Sequence, residues 1–123
     1  MARILIIDDE ELVRFTLREI LVAAGHEVIE ASNGNEGVGL QRARPCDIVI
    51  TDIIMPEKEG LETIVELKGE YPDLKIIAIS GGGRTRSLDF LKMAGEFGAD
   101  HVVIKPFADD DLMKCINACS KNA

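Results

Sequence analysis

Met1 to Glu11 reads MARILIIDDEE, an apolar run that stops abruptly in acid. Ile4, Leu5, Ile6 and Ile7 follow one another with no polar alternation, the pattern of a strand buried on both faces. The run is too short for a signal peptide, and acidic residues follow it at once. Just downstream, Val13, Thr16, Leu17, Ile20, Leu21 and Ala24 recur at helical spacing, with Gly25 as the stop. The opening stretch therefore reads as a strand, an acidic turn and an amphipathic helix.

The alternation continues along the chain. A short strand is expected around Glu27 to Glu30, a turn at Asn33-Gly34, and a second helix to about Ala43, ended by Pro45. Asp47 to Thr51 (DIVIT) is a third strand and Leu61 to about Gly69 a third helix. Leu74 to Ile79 (LKIIAI) is a fourth strand, followed by the loop Gly81-Gly82-Gly83 and a helix from Ser87 to Phe97 that Gly98 closes. His101 to Ile104 is a fifth strand and Asp109 to Cys119 a fifth helix, its first turn rich in aspartate that suits the helix dipole. Five β-α units in strict alternation with short connections predict an open, doubly wound parallel α/β sheet with helices on both faces.

The 123 residues fit a single domain spanning 1–123, with no output domain expected after the last helix. Apolar residues make up 46% of the chain, enough for a core that needs no disulfide or structural metal. The net charge of −8 argues against nucleic-acid and anionic-membrane partners. No apolar run approaches the roughly 20 residues that span a bilayer, so a cytoplasmic protein is expected. Cys46, Cys115 and Cys119 have neither a CxxC spacing nor an even count, and they read as small hydrophobes.

In sheets of this kind, ligands bind beyond the carboxyl ends of the strands. Asp8, Asp9, Glu10 and Glu11 follow the first strand, Asp52 the third, Ser80 the fourth and Lys105 the fifth. Carboxylates brought together repel and need an offsetting charge. A hard divalent cation with oxygen ligands supplies it, and Mg²⁺ leaves room for phosphate oxygens. Lys105 adds a fixed positive charge. The set suits phosphoryl transfer, with a carboxylate as nucleophile and a hydroxyl to hold one phosphoryl oxygen.

Asp8-Asp9, the stretch DIIMPEKEG from Asp52 to Gly60, Ser80, and Lys105-Pro106-Phe107 together resemble the receiver domain of two-component response regulators, over essentially the whole chain. The resemblance implies a flavodoxin-like (βα)5 fold with strand order 2-1-3-4-5. It implies Asp52 as phosphoacceptor and Mg²⁺ held by Asp9, Asp8, Asp52 and the backbone carbonyl of Ile54. Lys105 would contact the phosphoryl group, across a cis bond to Pro106, and Ser80 would be the switch hydroxyl. The donor would be a phosphohistidine on a histidine kinase or phosphotransfer protein. Two versions stay open: a shuttle that passes the phosphoryl group on in a phosphorelay, or a regulator that binds a downstream protein through the face of the fourth helix, fifth strand and fifth helix; either would be a monomer or weak dimer.

Three positions depart from the family pattern. Val102 stands where an aromatic residue is usual, so output is expected to rest on backbone movement. The loop after Ser80 is glycine-rich and leaves the site open. Ile54 is apolar where side chains influence dephosphorylation, which points to a longer-lived phosphoryl group. Asp47 starts a strand away from the site, and His101 reads as an edge histidine. Arg84 and Arg86 read as solvated. A pseudo-receiver is disfavoured by intact Asp9, Asp52 and Lys105. A haloacid-dehalogenase-type phosphohydrolase is disfavoured because the first-strand acids are adjacent rather than DxD. A flavodoxin-like cofactor binder lacks a phosphate-cradling loop after the first strand.

Overall fold

The protein is seen in a computed structural model that describes residues 2–53, 60–81, 92, 95–96, 98–105 and 109–121. At 60–61, 80–81, 104–105 and 120–121 it describes the backbone alone. Five strands, β1 (Arg3–Ile7), β2 (Glu27–Ala31), β3 (Ile48–Asp52), β4 (Lys75–Gly81) and β5 (His101–Lys105), form one sheet. Every pairing is parallel and the order is β2-β1-β3-β4-β5, as the resemblance implies. Helices α1 (Glu11–Ala23), α2 (Gly34–Ala43), α3 (Gly60–Glu70) and a final helix (Asp109–Lys121) alternate with the strands. The helix expected over 87–97 lies mostly outside the described residues, of which Lys92, Gly95 and Glu96 are helical.

The apolar runs split by parity into two cores. Leu5, Ile7, Val49, Ile76 and Ala78 point to one face, against Val38 of α2 and Ile64 and Leu67 of α3. Ile4, Ile6, Ile48, Ile50, Ile77 and Ile79 point to the other, against Leu17 and Leu21 of α1 and Leu112, Ile116 and Cys119 of the final helix. A strand with both faces covered has no polar side, which is why these runs show no alternation.

Local signals set the element ends. Gly25 and Gly98 take φ of +92° and +124°, conformations that other residues adopt at a cost, and each closes a helical stretch. Asn33, expected in a turn, is the N-cap of α2: its side chain accepts from the Glu36 amide at 2.8 Å. Glu36 in return accepts from the Ser32 amide at 2.8 Å, a reciprocal cap that fixes the β2–α2 junction. Asp47 lies at the amino edge of the sheet, where it accepts from the Arg3 amide at 2.9 Å, away from the acidic cluster.

Candidate functional site

The site grows from the carboxyl ends of β1 and β3, adjacent strands in register from Ile4↔Ile48 to Ile7↔Thr51. One residue beyond that register stand Asp8 and Asp52. Both are buried, at 0% and 5% exposure, although carboxylates are seldom found inside. Asp9 and Glu10 follow on the exposed turn into α1. Carboxylate oxygens from Asp8, Asp9, Glu10 and Asp52 lie within 4.8 Å of one another.

The turn that carries these acids is tightly held. The Asp8 amide donates to the Ala31 carbonyl at 3.1 Å, which ties the end of β1 to the end of β2. Asp8 Oδ1 accepts from the Glu10 amide at 2.9 Å, an Asx-type turn bond that fixes the approach of the chain to α1. The Asp8 carbonyl accepts from Arg14 Nη1 at 2.7 Å. On β3, the Asp52 carbonyl accepts from the Thr51 hydroxyl at 3.0 Å, and the Ile53 amide donates to the Ile79 carbonyl at 3.1 Å.

Four carboxylates, two of them buried, repel one another and make a strongly cation-seeking pocket. The donors are all oxygens, with no imidazole or thiolate among them, so the set fits a hard divalent cation such as Mg²⁺ rather than zinc or copper.

Of the site residues expected from sequence, Asp8, Asp9 and Asp52 come together. Ser80 and Lys105 lie within β4 and β5 rather than after them, paired in register as Ser80↔Ile104 and Gly81↔Lys105, at the same carboxyl edge. Their side chains, the Ile54 carbonyl and the Lys105-Pro106 bond lie outside what the structure describes. Glu10 is the member of the cluster to which the sequence assigned no role.

A family model for the response regulator receiver domain matches residues 4–117. The chain belongs to the response-regulator receiver family. This receiver domain is 36% identical over 121 residues to chemotaxis protein CheY of Thermotoga maritima, covering 97% of this chain and 98% of that one. It is 35% identical to protein PilH of Pseudomonas aeruginosa, covering 96% and 97%. A receiver domain structure from Clostridium thermocellum superposes with a TM-score of 0.91 at 32% identity, covering 99% of this chain and 96% of that one. Receivers of this type are signalling switches that work with kinases and downstream targets, not enzymes in the usual sense. Among the described residues, no helix is long and apolar enough to cross a membrane.

Proposed function

We propose that this receiver is a phosphoacceptor switch in which Asp52 takes a phosphoryl group from a phosphohistidine on a histidine kinase or phosphotransfer protein. The observation that carries the reading is the buried Asp52 carboxylate at the end of the central strand, within 4.8 Å of the oxygens of Asp8, Asp9 and Glu10. Mg²⁺ would be held directly by Asp9, by Asp8 through water, by one Asp52 oxygen and by the Ile54 carbonyl. When bound, it neutralises the pocket and the charge on the transferring phosphoryl oxygens.

The second Asp52 oxygen attacks phosphorus as the P–N bond to the donor imidazole breaks. The electron pair stays on that nitrogen, and the product on Asp52 is an acyl phosphate. Lys105 holds one phosphoryl oxygen and the Ser80 hydroxyl donates to another. The chain turns over no separate substrate; it assists its own phosphorylation and the hydrolysis that reverses it.

Output passes by protein–protein contact through the face of the helical stretch before β5, β5 itself and the final helix. Val102 on β5 is 45% exposed, so the position where the family usually has an aromatic offers a small apolar contact at that face. The net charge of −8 favours protein partners over nucleic acid. The reading is of a cytoplasmic monomer or weak dimer.

The test is intact mass after treatment with acetyl phosphate, with and without Mg²⁺, on the wild type and Asp52→Asn. A phosphate adduct that needs Mg²⁺ and disappears in the variant is expected. Absence of any adduct would overturn the reading and leave a binding module that signals without phosphorylation.

A further inference from the structure

Arg14 sits on α1 outside the acidic cluster, yet its side chain reaches back to the turn that carries three of the four acids, while its amide makes only the ordinary first-turn bond of the helix. Its amide donates to the Glu10 carbonyl at 3.1 Å, and its guanidinium Nη1 donates to the Asp8 carbonyl at 2.7 Å. The same guanidinium is braced from β2, with Nε 3.4 Å from Glu30 Oε1. The neighbouring residue on β2, Ala31, accepts the Asp8 amide at 3.1 Å. Asp8 is thus pinned at its N–H and its C=O to the end of one strand, the second contact relayed through Arg14. The Arg14 side chain is only 17% exposed, so it is held in place rather than waving in solvent.

We propose that Arg14 is a positioning residue of the acidic site, fixing the β1–α1 turn so that Asp8, Asp9 and Glu10 converge on one cation. The inference rests on the phosphoacceptor reading above. Without a cation the clustered carboxylates repel and the turn tends to splay. A charge-assisted hydrogen bond to the Asp8 carbonyl opposes that movement, so less ordering remains to be done when the cation arrives. Outer groups that orient metal ligands typically change affinity by about 10–100-fold when removed.

Two effects of opposite sign compete in an Arg14 variant. Loss of a positive charge near the pocket should tighten cation binding, and loss of the brace should weaken it. The charge is already offset by Glu30 and partly screened, so the brace should win. Arg18 supplies an internal control. It makes the closer ion pair to Glu30, at 2.8 Å, and the hydrogen bonds found for it do not reach Asp8.

Mg²⁺ affinity would be measured by titration calorimetry on wild type, Arg14→Met, Arg14→Lys and Arg18→Met, with thermal midpoints taken in chelator. Arg14→Met should bind Mg²⁺ about tenfold more weakly. Arg14→Lys, which keeps the charge but loses the planar fork, should fall between Arg14→Met and wild type. Arg18→Met should match wild type. Tighter binding in Arg14→Met would show that Arg14 acts only as a charge, unchanged binding would show no net positioning role, and equal weakening in Arg18→Met would show that any loss of a Glu30 pair suffices; each overturns the proposal. If Arg14→Met does not fold, Arg14→Lys against Arg18→Met decides by the same rule. Failure of the wild type itself to bind Mg²⁺ would instead strike the phosphoacceptor reading.

Discussion

Gly37 of α2 packs directly on Ile7 of β1: a Cβ built at Gly37 would overlap Ile7 Cδ1 and lie 2.7 Å from Ile7 Cγ1. Ile7 is fully buried and β-branched, so it has little room to turn away. It also immediately precedes Asp8, which links the packing of α2 to the acidic site. Gly37→Ala should gain up to about 1 kcal/mol of helix propensity and lose about 1–3 kcal/mol to overpacking. A net destabilisation is expected in urea unfolding, with Mg²⁺ binding weakened as β1 shifts. An unchanged or higher midpoint would show that α2 can lift from the sheet freely.

The acidic cluster should make the metal-free protein less stable than it could be. Asp9 is the exposed member of the cluster expected to ligate the cation directly, and its neutral isostere removes one repelling charge. Asp9→Asn is therefore expected to raise the thermal midpoint in chelator. Mg²⁺ at 100 times its Kd should stabilise wild type by about 2.7 kcal/mol and the variant by almost nothing. Glu10→Gln should show the same signs more weakly, since Glu10 starts the helix and stands at the rim. Scanning calorimetry with and without Mg²⁺ measures both effects, and a fall in the chelator midpoint of Asp9→Asn would contradict the account.

The three cysteines should behave as core fillers. Burial pushes the Cys46 and Cys119 thiols up to about 11, and it raises Cys115 as well. Thiolate is the reactive form, so at about pH 8 the native protein should react with Ellman's reagent far more slowly than free cysteine. All three thiols should react at once in denaturant. Fast native labelling of Cys46 or Cys119 would mean that the amino edge of the sheet opens.

The strands and their acids were legible because buried parallel strands read as apolar runs with sharp polar ends. Asp8 and Asp52 each end such a run, and strand order then brings the two together. Boundaries moved by one or two residues: Asp52, Ser80 and Lys105 belong to strands rather than to the loops after them. Asn33 reads as a turn residue because the same side-chain acceptor serves turns and helix caps. Glu10 and Arg14 carried no usable signal. Whether Glu10 meets Asp52 depends on the path of a three-residue turn, and a lone arginine on an amphipathic helix looks solvated. The contact of Gly37 with Ile7 depends on the distance between two elements, which no local pattern encodes.

His26 should make stability fall in mild acid. Its ring Nδ1 accepts from the Ala2 amide at 3.0 Å, and it can do so only while that nitrogen is unprotonated. Burial lowers its pKa below the ordinary 6.5. The unfolded chain therefore takes up a proton at a higher pH than the folded one. The contribution is fully present above pH 6.5 and is lost as pH falls from 6.5 toward the folded-state value. His26→Gln keeps an acceptor without titrating. The difference in unfolding free energy between wild type and this variant should be constant above 6.5 and shift against wild type below it. A difference that stays flat through mildly acidic pH would show that the ring protonates freely and that its bond to Ala2 does not hold the α1–β2 junction.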